Sequence, residues 1–107
     1  MAALSIQERK RLRQIGHALN PVVMIGGQGL TENVIEETNR ALNDHELIKV
    51  KIGGEDRELR AAVITEIAAA TGSEVVQTIG KIALLYKKAA KQNAKLSNLV
   101  RHAHLSN

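Results

Sequence analysis

A chain of 107 residues with a formal net charge of +4 fits one compact domain with an extension. It has no cysteine, which excludes disulfides and thiolate metal sites, and one aromatic residue, Tyr86, so its core must be built from Leu, Ile, Val and Ala. Binders that stack single-stranded bases on exposed aromatic rings are excluded by the same shortage, and any nucleic-acid contact is expected to be made to the backbone.

Ser5-Ile6-Gln7-Glu8 has the spacing of a capping box, which predicts a first helix beginning there and ended by Pro21. Leu12, Ile15 and Leu19 share one face. Projection at about 100° per residue gathers Lys10, Arg13 and His17 on the opposite face, with Arg9 and Arg11 on its flanks. Four basic residues against one Glu between Glu8 and Arg13 make that face a candidate phosphate contact as well as a solvated surface.

Val22-Val23-Met24-Ile25 reads as a short buried strand that breaks into Gly26-Gly27-Gln28-Gly29 and then opens a second helix with Thr31 as its N-cap. Gly26 and Gly29 form a G-x-x-G signature. Without side chains there, backbone N–H groups can approach a phosphate closely, and a following helix N-terminus adds partial positive charge. The same glycines also suit a tight strand-to-helix turn. Leu30, Val34, Thr38, Ala41 and Leu42 give the second helix an apolar face as far as about Asn43.

From Glu46 to Ile52 the chain alternates, with Ile48, Val50 and Ile52 to one side and Lys49 and Lys51 to the other. This predicts a polar open sheet face with no stacking platform. Gly53-Gly54 ends the strand, and a third helix is expected from about Asp56 to Ala70, with Leu59, Val63, Ile67 and Ala70 inward and Gly72 as its C′ residue. Strands over Val75 to Ile79 and Ile82 to Tyr86, joined by Gly80-Lys81, form an antiparallel hairpin, while the helical crossovers suggest parallel earlier strands. The expected architecture is α/β of the α+β two-layer kind, α-β-α-β-α-β-β, a mixed four-stranded sheet with helices packed on it.

Beyond Tyr86 lie five basic residues (Lys87, Lys88, Lys91, Lys95, Arg101) and no acidic one, which leaves ten basic against eleven acidic residues in positions 1–86. The basicity is therefore local. Ala89 to Leu99 has helix-forming residues but few large apolar ones, so residues 88–107 are expected to be a frayed helix or a mobile extension outside a domain spanning 4–87.

No catalytic constellation emerges. His17, His45, His102 and His104 have no cluster of ligand-type residues at metal spacing, and Asp44-His45-Glu46 falls at a helix–strand junction with no accompanying nucleophile, which makes it a turn. There is no P-loop and no complete dinucleotide fingerprint. Gly26-Gly27-Gln28 spells the tripeptide of class I peptide-release factors, but its place between a strand and a helix is the wrong context. No metal or cofactor is expected. The first ten residues lack a signal-peptide apolar region and no apolar run nears the ~20 residues of a membrane helix, so the expectation is a soluble, cytoplasmic protein with no membrane partner.

Taken together, Pro21-Val22-Val23 leading through Ile25-Gly26 to Gly29-Leu30-Thr31, then His45-Glu46-Leu47-Ile48-Lys49-Val50-Lys51, Thr71-Gly72, Val76-Gln77, Ile79-Gly80 and Leu85-Tyr86, resemble the CRM domain, the chloroplast RNA splicing and ribosome maturation family, in its stand-alone bacterial YhbY-like form. The resemblance spans residues 4–87. It implies an RNA-binding α/β fold similar to the C-terminal domain of translation initiation factor three, and bacterial members associated with precursors of the large ribosomal subunit. It also implies that Gly26, Gly27, Gln28 and Gly29 contact RNA with nearby basic residues assisting, for which Lys10, Arg13, Lys49 and Lys51 are the candidates. The reading is then a monomeric, non-enzymatic RNA-binding protein. The alternative is a protein-interaction adaptor in which the glycine loop is only a turn.

Overall fold

The computed structural model describes residues 4–103; Met1 to Ala3, and the His104 to Asn107 end of the expected extension, lie outside the described residues. Helix α1 spans Ile6–Gly16, β1 Pro21–Ile25, α2 Glu32–His45, β2 Leu47–Ile52, α3 Arg57–Thr71, β3 Glu74–Ile79, β4 Ile82–Tyr86, and a last short helix, α4, Asn98–Arg101. The strands form one mixed sheet in the order β1-β2-β4-β3. β1 and β2 are parallel with Val23 opposite Val50 and Ile25 opposite Ile52, whereas β4 is antiparallel to both of its neighbours. The β3–β4 hairpin turns at Gly80 (φ 56°), and its returning strand inserts between β2 and β3.

Strand alternation splits the core in two. Ile48, Val50 and Ile52 of β2, with Val23, Ile25 and Leu85, bury against α2 and α3 through Leu42, Ile64 and Ile67. The opposite face buries Leu47, Val76 and Leu84 against Leu12 and Ile15 of α1.

The capping box forms: the Ser5 hydroxyl accepts from the Glu8 N–H at 3.0 Å, and the Glu8 carboxylate accepts from the Ser5 N–H at 3.0 Å. The helix stops at Gly16, well before Pro21, which instead opens β1. The cause is tertiary. Gly16 is pressed onto the sheet so closely that an added Cβ would lie 2.8 Å from a Leu84 methyl, and the chain turns there through bonds from Ala18 to Ile15 and Leu19 to Gly16.

Helix α2 runs two residues past the expected end to His45. In α3 the buried stripe is rotated from the expected one: Ile64, Ile67 and Thr71 are buried, whereas Leu59 is 66% exposed and Ala70 is exposed. An alanine-rich helix permits several inward faces, and Thr71 enters the core because its hydroxyl donates to the Ile67 carbonyl at 2.7 Å.

The extension differs most from its expectation. Residues 88–103, expected as a frayed helix or a mobile extension, fold back onto the domain around one buried carboxylate and carry only the short helix α4. Glu46, at φ 62° and 2% exposed, accepts from the Ala89 N–H at 2.9 Å, the Gln92 amide at 2.6 Å and the Ser97 hydroxyl at 2.8 Å. Asn98 donates to the Leu47 carbonyl at 2.6 Å, the His45 ring bonds the Leu96 carbonyl at 2.8 Å, and Leu99 packs on the α1-side core. Burial pushes the Glu46 carboxyl up, but the hydrogen bonds from Gln92, Ala89 and Ser97, helped by the Lys88 charge, outweigh it and hold the group below its ordinary value.

Candidate functional site

Loops that leave the C-terminal ends of adjacent parallel strands come to lie side by side, and here that brings two glycine segments together. β1 delivers Gly26–Gly29 and β2 delivers Gly53-Gly54, tied by a 2.7 Å bond from the Gly53 N–H to the Ile25 carbonyl. The hairpin turn joins the same end, since the Ile52 N–H donates to the Lys81 carbonyl at 2.8 Å. Gly26, Gly27, Gly29, Gly53, Gly54 and Arg60 line a shallow cleft between them.

Gly26, Gly27 and Gln28 are exposed, and a Cβ added at Gly26, Gly27 or Gly29 would meet nothing within 4 Å. Packing therefore does not demand glycine at Gly26 or Gly27. Gly29 is required by its backbone, at φ 79°, and its N–H closes the turn onto the Gly26 carbonyl at 3.1 Å. Thr31 caps α2 by accepting from the Val34 N–H at 3.2 Å. Glu32, exposed in the first turn, already sits at the positive end of the helix dipole, so an anion at this loop is best met by loop N–H groups rather than by the helix end.

Lys51 is exposed on β2 opposite Met24 of β1, one residue before the strand that enters the glycine loop ends. Lys49 is half-buried on the same face, beside His17 at the end of α1. Lys10 is exposed and Arg13 half-buried on α1, which lies across the sheet from α2, the helix the loop feeds. The structure thus brings Lys51 toward the loop end of the sheet, while Lys10 and Arg13 lie on α1, which packs on the same sheet face as Lys49 and Lys51 and opposite α2. Arg9 turns inward: its guanidinium donates to the Val75 carbonyl at 3.2 Å and lies 3.8 Å from Glu74.

The open sheet face mixes apolar residues with its lysines. Met24 is 69% and Ile79 61% exposed, and the strand registers set them in one row with Lys51 and Ile82. Alternation along β2 alone could not show this, because the exposed apolar residues come from β1 and β3.

Sequence reasoning also missed Gly53-Gly54 and Arg60 as neighbours of the glycine loop. Arg60 donates to the Gly54 carbonyl at 2.8 Å and so braces the second glycine turn. The available signal was a glycine pair directly after the strand parallel to β1. Among the described residues there is no group of three or more His, Cys, Asp or Glu able to hold a metal, and no helix is long and apolar enough to cross a membrane.

Comparison with known proteins adds to this geometry. The family model described as CRS1 / YhbY (CRM) domain matches residues 4–87. A Pseudomonas aeruginosa protein carrying the name "Probable RNA-binding protein" is 48% identical over 94% of this chain and 97% of its own. A Haemophilus influenzae protein named "RNA-binding protein" is 47% identical over 90% of this chain and 97% of its own. The solution structure of a Staphylococcus aureus protein superposes with a TM-score of 0.74 at 29% identity, covering 89% of this chain and 98% of that one.

Proposed function

The chain belongs to the CRS1 / YhbY (CRM) domain family, and from that premise we propose that it is a non-enzymatic RNA-binding protein that grips the RNA backbone at Gly26–Gly29 and serves assembly of the large ribosomal subunit. The observation that carries the reading is the exposed glycine loop at the end of β1, where a Cβ added at Gly26, Gly27 or Gly29 would meet nothing within 4 Å. Lys51 and Lys49 on the adjoining sheet face and Lys10 and Arg13 on α1 supply positive charge for neighbouring phosphates. The partner is RNA, ribosomal RNA in a precursor particle, bound by a monomer in the cytoplasm.

A salt titration of binding to a structured RNA tests this. Backbone contact makes the logarithm of the binding constant fall linearly with the logarithm of salt concentration, and Gln28→Asp lowers affinity in a protein that melts like the wild type. Absence of RNA affinity, or affinity indifferent to salt and to Gln28→Asp, favours the adaptor reading and removes the loop from the interface.

A further inference from the structure

The end of α1 and the sheet enclose a cleft of about 160 Å³ that the backbone-gripping reading leaves unused. It is lined by the apolar side chains of Ile82 and Ile79, with the buried Leu84 at its inner end beneath Gly16, and by His17, Gln77 and Lys49. The helix covers the sheet only as far as Leu84, on which Gly16 is pressed. The next row, Met24, Lys51, Ile82 and Ile79, crosses all four strands, with Met24, Lys51 and Ile79 exposed and Ile82 half-buried. No acidic residue lines the cleft.

We infer that this cleft is a seat for an unpaired nucleobase of bound RNA, with the base on Ile79 and Ile82, its edge read by the Gln77 carboxamide, and its flanking phosphates met by Lys49 and Lys51. This inference rests on the RNA-binding reading and names its substrate class: single-stranded or looped-out nucleotides. The chemistry argues for that occupant. An apolar surface rewards a flat heterocycle, a carboxamide both donates and accepts and so matches a base edge, and the lysines with no opposing carboxylate suit a polyanion. The place argues for it as well. Lys51 stands opposite Met24, and both strands of that pair run on into the glycine segments, so one RNA strand held at the loop passes directly over the open row. A duplex keeps its bases stacked and paired and cannot fill the cleft.

The test compares the full chain carrying Gln77→Ala and Ile79→Ser with the wild type. Affinity is measured by fluorescence anisotropy for a short single-stranded oligoribonucleotide, the same strand with abasic sites, and an RNA duplex of equal length. Ile79 is exposed and Gln77 half-buried, so the variant is expected to fold, and its melting curve checks this. The expected result is a loss of about 3- to 10-fold for the single strand, at or below the low end of the range for a base stacked on an aromatic ring because this surface is aliphatic, with no change for the abasic strand or the duplex. A single strand bound equally well by variant and wild type, or an equal loss on all three RNAs, overturns the inference while leaving the backbone-gripping loop intact. If the wild type binds none of the three, the RNA-binding reading itself fails. Should the variant not fold, the Gln77 side-chain amide signals of the wild type, followed by NMR during titration with the single strand and with the duplex, decide the matter: a shift confined to the single strand supports the seat, and no shift overturns it.

Discussion

Glu46 concentrates more of this molecule's chemistry than any other side chain. It caps α2 in a backbone conformation that disfavours side chains, at φ 62°, and its carboxylate gathers three donors from the C-terminal segment. Glu46→Ala leaves those donors without a partner in a buried setting and is expected to cost about 1–3 kcal/mol in chemical denaturation. Glu46→Gly relieves the backbone yet loses the same bonds, so it separates the two effects. A Gly variant more stable than the wild type would show that backbone strain outweighs the carboxylate. The pH dependence has a definite sign. The folded-state value lies below the ordinary 4.5, so this contribution is fully present above that value and is lost as pH falls through the lowered one. Melting temperature should therefore drop on acidification below about pH 4.5, and less steeply in Glu46→Gln than in the wild type. On β2, Ile48→Ala should cost about 2–4 kcal/mol by opening a cavity, whereas Lys51→Ala should leave stability within about 0.5 kcal/mol. Equal losses would mean that the strand faces are not divided as the structure has them.

At the scale of elements, the C-terminal segment and α1 have distinct roles. Truncation before Lys88 removes every donor to Glu46 from the segment, together with Asn98 and Leu99, and exposes Leu47 on the face they cover. A fall in melting temperature of roughly 5–15 °C is expected. An unchanged melting temperature would return the segment to the mobile extension that its composition suggests. The docking is silent in the composition for a physical reason: apolar periodicity is the signal by which docking is read from sequence, and this segment docks mainly through hydrogen bonds to a single buried acid. The α1 surface is tested by charge. Neutralising Lys10 and Arg13 together should lower the log–log salt slope of RNA binding by about 1–2 units, one for each phosphate that is no longer neutralised. An intact slope would assign that face to solvent.

For the whole molecule, the decisive arrangement is a sheet whose parallel pair places two glycine turns side by side while its last strand is threaded between β2 and β3. Gln28→Asp should weaken RNA binding by roughly several-fold without moving the melting temperature, because the side chain is exposed. A variant that melted early but bound normally would make the loop structural. Local signals carried the capping box at Ser5, the Thr31 cap, the glycine loop, the β2 alternation and the Gly80-Lys81 hairpin, since each is set by neighbours within a few residues. They did not carry the end of α1 at Gly16, the inward face of α3, the fold-back of residues 88–103 or the apolar row from Met24 to Ile79. Each of these depends on which distant residue arrives opposite: Leu84 against Gly16, Glu46 against Gln92 and Ser97, Lys51 between Met24 and Ile82. Neighbouring residues along the chain set the elements and the chemistry of their ends. Only the tertiary structure decided which faces stay open, because burial belongs to pairs of elements and no single segment encodes it.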